Sequence, residues 1–460
     1  MGSRAHAVDT TPCERNKGCR HAPSDSPTTG AVVRLTVAVV LTGVGAGVGG
    51  MVLALLLHAI QHVAYGYSLH ELNGPESFLQ GVSAASPLRR VGVLAVCGVV
   101  AGCGWSLLYR FARPLVSIET AIAAEDPRMP LWTTTAEALL QIVTVALGSP
   151  LGREVAPREI GAMFAGWVSR CAGLTLDESR VMVACGAGAG LAAVYNAPLG
   201  GAVFVLEVLL STLQLQVVLP ALATSAIAVV VAWSGLGNAA LYTVSPSPPS
   251  ATLIVWSSVM GPLFGTAAFW FKALAARARA SARRNWQLPV LSLFNFTIIG
   301  LLAIKFPELL GNGRAPAQLG FASELSIGLA LALLVLKVAI TASSLRAGAG
   351  GGLLTPSLSN GALLAIVLGG LWSIVWPGPS LGTFAIVGAA AFLASSMSMP
   401  VTAIVLLVEF TGMDQNVLVP ILLAVAGSVA AERLCAHLYR PHYEVPAATT
   451  CAVPRCPRQN

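Results

Sequence analysis

The sequence predicts an all-α polytopic membrane protein, built as an inverted-topology repeat with many tilted and half-spanning helices. Three observations carry this. Of its 460 residues 55% are hydrophobic and only 10% charged, at a mean hydropathy of +0.75, a balance foreign to soluble domains. The chain holds 46 glycines and 28 prolines, and several of its apolar runs fall short of the roughly twenty residues a straight span needs, which implies broken, closely packed helices. Two stretches also repeat. Gly186–Glu207 and Gly388–Glu409 align at a constant offset (388 − 186 = 202), pairing Leu191 with Leu393, Ala192 with Ala394, Pro198 with Pro400 and Glu207 with Glu409.

Residues 1–30 are polar and aperiodic and read as a disordered cytoplasmic tail, held on that side by Arg4, Arg15, Lys17 and Arg20 together with Arg34. Cys13, Cys19 and His21 do not make a zinc-site spacing, and the nine cysteines imply no disulfide framework. Ala31–Ala64 is too long for a signal-peptide core and forms the first membrane helix. A loop from Tyr65 to Arg90 joins it to the second, Val91–Phe111. His58 and His62 share one helix face, with His70 and Glu71 beyond; lacking the glutamate that a zincin helix places between its histidines, they read as an interfacial pair.

Apolar segments recur at 132–147, 160–174, 181–213, 217–233, 251–275, 288–304, 325–342, 361–376, 383–395, 401–411 and 417–437. The basic interior stretch Lys272–Arg284 belongs with both tails on the cytoplasmic face, so each half crosses the membrane an odd number of times. Halves of that kind are related by an axis in the membrane plane, and their broken helices meet at mid-depth. The net charge of +7 is then a loop property and calls for no nucleic acid.

The segment from Ser149 to Gly161, SPLGREVAPREIG, is polar where its surroundings are apolar. Arg153, Glu154, Arg158 and Glu159 each cost about 2.5–3.5 kcal/mol at mid-bilayer unless they have a partner or a task. Gly152 and Pro157 bracket Glu154, which predicts a break followed by a helix start whose free amides suit an anion. A carboxylate there plugs the site when ionised and steps aside when protonated. In the second half Gly351–Pro356, GGLLTP, stands where Gly152–Pro157 stands in the first. Glu207 and Glu409 read either as part of the repeated site or as caps that brace the two helices.

These residues resemble the CLC chloride channels and chloride/proton exchangers. Gly152, Arg153 and Glu154 are similar to the family's GREGP signature, with Val155 and Ala156 at its last two places and the proline displaced to Pro157. Gly190–Glu207 is similar to GLAAxFNAPLxGxxFxxE almost residue for residue. Gly352–Pro356 resembles GxFxP with Leu354 at the phenylalanine, and Arg440, Pro441 and Tyr443 resemble the terminal tyrosine segment. The resemblance spans about 31–446. It implies some eighteen tilted helices per subunit, a transport domain with repeats at about 31–235 and 251–446, a short cytoplasmic tail at 447–460, and a homodimer in the plasma (inner) membrane of a bacterium. It implies that Glu154 is the gate, that Arg153, the amides at Glu154, Val155, Leu353 and Leu354, and the Tyr443 hydroxyl face the anion, and that no enzyme activity, metal or cofactor is involved.

Two departures bear on mechanism. Counted back from Glu154, the family's GSGIP loop falls on Ala112–Val116, so its anion-coordinating serine is replaced by Arg113, which reads either as a donor to the anion or as an ordinary positive-inside residue. Val208 fills the place of the inner proton-transfer glutamate, leaving Glu154, Glu119 and Glu159 as the proton route if protons move at all. The resemblance therefore implies transport of chloride or a similar small anion through a Glu154-gated pathway among membrane lipid, with proton coupling open. The alternative is a strictly coupled anion/proton antiporter for chloride, fluoride or nitrate. An intramembrane hydrolase built on His58 or His62 would need those residues in the repeated core, where they are not.

Overall fold

The computed structural model describes residues 29–67, 77–244, 250–413 and 415–439. Every regular element among them is helical; the one exception to helix and loop is an isolated antiparallel bridge between Gly152 and Gly352. In the first half, α1 (Thr29–Tyr65) is followed by α2 (Phe78–Ala84), which a Ser77/Gln80 capping box starts inside the stretch expected to be loop. Next come α3 (Pro87–Phe111), α4 (Ile118–Ala123), α5 (Leu131–Ala146) and α6 (Val155–Cys171). Then α7 (Leu176–Tyr195) opens on a Thr175/Glu178 capping box, and α8 (Pro198–Phe204) runs into a π-helical turn, Val205–Leu209, before α9 (Leu215–Leu236).

The second half holds α10 (Ala251–Ala280), α11 (Gln287–Lys305), α12 (Arg314–Phe321), α13 (Ile327–Arg346), α14 (Leu354–Val375), α15 (Leu381–Ser396), α16 (Pro400–Thr411) and α17 (Leu418–Tyr439). Eight of these helices, α1, α3, α9, α10, α11, α13, α14 and α17, are long and apolar enough to cross a membrane; α8 with its π turn, α15 and α16 are short apolar pieces. The chain is a multi-pass membrane protein.

Boundaries differ from the apolar runs in two instructive places. The run 181–213 is cut at Asn196, which turns left-handed at φ 53°, and Pro198 then starts α8. The run 361–376 begins seven residues too late, because the polar residues Thr355, Ser357, Ser359 and Asn360 are already helical and buried in α14.

The repeat is structural. The series α6, α7, α8 starts at Val155, Leu176 and Pro198, and α14, α15, α16 starts at Leu354, Leu381 and Pro400. In both copies the first two helices meet at glycine, Gly161 on Gly186 and Gly361 on Gly388; a side chain at Gly161, Gly186 or Gly361 would overlap the facing carbonyl, and one at Gly388 would overlap Ala365 and Phe264.

The two repeated acids brace the fold by exchange between halves. The Glu207 carboxylate accepts from the amides of Val401 (2.9 Å) and Thr402 (2.7 Å) and from the Thr402 hydroxyl (2.6 Å), so it caps α16. Glu409, on α16, accepts from the amides of Leu199 (2.8 Å) and Gly200 (2.7 Å) and caps α8. Proline at the first position of each helix leaves the following amides as orphans, and a carboxylate satisfies both while facing the positive end of the helix.

Replacing Glu207 or Glu409 by alanine strands two such donors. Each variant is expected to lose about 1–3 kcal/mol of stability, read as a lower unfolding temperature in detergent, with Gln at either position recovering part of the loss.

Candidate anion site at the meeting of two broken helices

Gly152 and Gly352 exchange both main-chain hydrogen bonds, N to O at 2.7 and 3.0 Å, and so tie the chain just before α6 to the chain just before α14. Glu154 is the residue ahead of the first turn of α6 and is 1% exposed. Its side chain crosses from one half to the other: Oε1 accepts the Leu354 amide, the first of α14, at 2.7 Å. The Glu154 main-chain amide faces the same carboxylate. A methyl group on Gly152 or on Gly352 would overlap the carboxylate oxygens, so the two glycines form its cradle.

The other oxygen, Oε2, accepts from the Tyr195 hydroxyl at 3.3 Å, and that hydroxyl lies 3.0 Å from Thr355 Oγ1. Tyr195 closes α7 at the place where the resembled motif has phenylalanine, and Thr355 is the second residue of α14. Neither was singled out from the sequence. A tyrosine in an apolar helix reads as core, and its one legible signal was the hydroxyl added at a phenylalanine position.

Only some of the remaining candidates are brought to this point. Of the amides expected at Leu353 and Leu354, the bond to the carboxylate is made by Leu354. Val155 is the half-buried first residue of α6. Arg153 is 7% exposed and makes no ion pair with its neighbour; its guanidinium lies over the Tyr195 ring, 5.4 Å from the centroid. Arg158 packs likewise over Phe204 at 4.3 Å. Glu159 is buried with Oε2 unpartnered, in the electrostatic reach of Glu137 on α5, Arg158 and Glu119. Glu119 itself is exposed, in the first turn of α4. Arg113 is exposed in the irregular segment between α3 and α4 and is not brought to the Glu154 carboxylate. Val208 sits in the π turn and packs on the main apolar core. Arg440, Pro441 and Tyr443 lie outside the described residues, as do Cys13, Cys19, His21, His70 and Glu71. His62 stacks on Tyr67 at 4.1 Å.

The arrangement is a buried seat whose donors are an amide and hydroxyls, occupied by a carboxylate. Chemically, the carboxylate oxygens stand where a monovalent anion of similar size could be held.

The chain and its fold are similar to known proteins. The chain is 29% identical over 390 residues to the voltage-gated ClC-type chloride channel ClcB of Citrobacter koseri, covering 80% of this chain and 91% of that protein. Its fold is similar to that of a slow cyanobacterial Cl−/H+ antiporter, with a TM-score of 0.74 at 20% identity over 87% of this chain and 94% of that one. It is also similar to a CLC-type fluoride/proton antiporter, with a TM-score of 0.69 at 18% identity over 89% and 98% of the two chains. The family model described as voltage gated chloride channel matches residues 97–433, and the chain belongs to that family.

Proposed function

We propose that the protein carries chloride or a similar small anion across the membrane, along a path that passes between α6 and α14 and is gated by Glu154. The observation that carries this is the Glu154 carboxylate itself, seated on the Leu354 amide where the two halves meet. An ionised carboxylate outcompetes a passing anion for that amide, because a charge-assisted bond in a buried seat is strong. Protonation removes the charge, weakens the bond and frees the seat. Flux therefore rises as pH falls.

The full reading includes a transport domain at 31–446 with repeats at 31–235 and 251–446, a homodimer in a bacterial plasma membrane, and both termini on the cytoplasmic side. Exposed apolar residues of α9 and α17, among them Leu215, Leu219, Val419 and Leu422, suit either lipid or a second copy. Relatives of the same fold are antiporters by name, and one feature favours proton movement here: buried Glu159 lies within electrostatic reach of exposed Glu119, a pair of carboxylates in the first half where Val208 cannot carry a proton. In this second reading Glu154, Glu159 and Glu119 relay the proton.

In proteoliposomes, Glu154→Gln is expected to give high anion flux that no longer responds to pH over the range in which the wild type does; a retained pH response would leave the carboxylate with a structural task only. Gly352→Ala should act in the same direction without touching the acid, since its methyl group excludes the carboxylate from the cradle, and a structure of that variant should show Glu154 off the Leu354 amide. Proton movement driven by an anion gradient, abolished in Glu159→Gln, would establish the coupled reading; its absence in wild type would establish passive flux.

A further inference from the structure

Two arginines near the gate have no acid to answer them. Arg153 is buried and its Nε has no hydrogen-bond partner. Arg314, the first residue of α12 in the second half, gives one N–H to the carbonyl of Leu241 at 3.0 Å. Next to that carbonyl stands Tyr242, 1% exposed, with a hydroxyl that has no partner either. The three ion pairs among the described residues, Asp126–Arg128, Asp177–Arg180 and Glu432–Lys272, include neither arginine. Glu154 is turned away from both, onto Leu354.

Main chain and rings hold these groups together. The Tyr242 amide donates to the Phe410 carbonyl at 2.9 Å, and Phe410 lies between the Tyr242 ring (6.3 Å between centroids) and the Tyr195 ring (5.3 Å), over which Arg153 sits. The two guanidinium groups act on each other electrostatically, and both act on the Tyr242 hydroxyl. The cluster is on the opposite face from the basic end of α10. Tyr242 packs on Phe321, two residues before Ser323, whose hydroxyl accepts from Gly382 at the start of α15; past the other end of α15, Ser398 accepts from Lys272 on α10.

Arg153 and the Tyr242 phenol are buried with an N–H and an O–H that have no partner, while Arg314 beside them is exposed to water, so the three offer donors and net positive charge to an anion arriving from the water side. We propose that Arg153, Arg314 and the Tyr242 hydroxyl form a second anion site, above the Glu154 seat on the face away from Lys272–Arg284, which captures a halide-sized anion before it enters. It rests on the pathway proposed above, and supplies that pathway with full charges at a mouth where the gate offers only neutral donors. One half contributes Arg153, the other Arg314, so this site too exists only when both halves are in place.

The test is sided bromide flux in proteoliposomes of the full chain, with bromide varied on one face at a time. Arg314→Gln and Tyr242→Phe are expected to raise the half-saturating bromide concentration on the α12 face by at least about tenfold for the arginine, whose bond to an anion is charge-assisted, and less for the tyrosine. The opposite face and the maximal flux should be unchanged, and Arg314→Lys should restore most of the affinity. A change equal on both faces, or none, would overturn the proposal. Bromide-soaked crystals give a readout independent of flux: anomalous density between Arg153, Arg314 and Tyr242 in wild type, lost in Arg314→Gln, supports the site even if Glu154 proves not to gate, and an empty site at saturating bromide rejects it.

Discussion

The bridge between Gly152 and Gly352 is the constraint on which the centre of the molecule depends. Two amide–carbonyl bonds in a dry interior are hard to exchange for water, so the chain ahead of α6 and the chain ahead of α14 are fixed relative to each other. Once they are, Leu354 presents its amide within reach of the residue two places beyond Gly152, and a glutamate there has the right length to span the gap. Glycine is required on both strands of the bridge for a reason other than backbone freedom: the space a methyl group would take is filled by the carboxylate. The same two residues thus join the halves and shape the seat.

A second reciprocity supports the first. Glu207 caps α16 and Glu409 caps α8, so the pair is a mutual exchange across the pseudo-axis, in which neither half satisfies its own helix start. These caps hold the short helices that follow α7 and α15, while the glycine contacts hold α7 against α6 and α15 against α14. Tyr195 ends α7 and reaches the carboxylate from there. The capped helix α8 begins three residues beyond that tyrosine, so the charge at residue 409 braces the chain next to the helix end that carries the hydroxyl.

Much of this was legible in the chain. Four charges in an apolar run, bracketed by glycine and proline, located the break before α6, the GGLLTP stretch located its counterpart before α14, and the offset of 202 paired α8 with α16. That Glu207 and Glu409 cap helices was one of two readings the residues allowed; that each serves the other half was beyond reach, because an acid's partner is set by packing and not by spacing. Tyr195 and Thr355 were missed for the same reason: each looks ordinary in its own helix, and they become a hydroxyl pair only when α7 and α14 meet 160 residues apart. Asn196–Ala197–Pro198 did carry a stop signal, but apolar continuity on both sides masked it. Hydrophobicity alone also set the start of α14 too late, since its first two turns are polar where they line the interior.

The distribution of charge along the proposed path follows a single rule. At the Glu154 seat the donors are an amide and two hydroxyls, none of them charged; the arginines stand back from it, Arg153 over Tyr195 and Arg158 over Phe204, with their charge spread against aromatic faces. A guanidinium at the seat would bind an anion too well to release it, since conduction needs entry to be favourable and exit to be easy. Set one side chain away, it lowers the cost of bringing a negative charge to the Glu154 seat without bonding to an anion held there. In the proposed gate the acid at the centre obeys the same logic in reverse: as a fixed negative charge on the Leu354 amide, it would oppose an anion only while ionised, so that a single proton would decide between a filled seat and an open one.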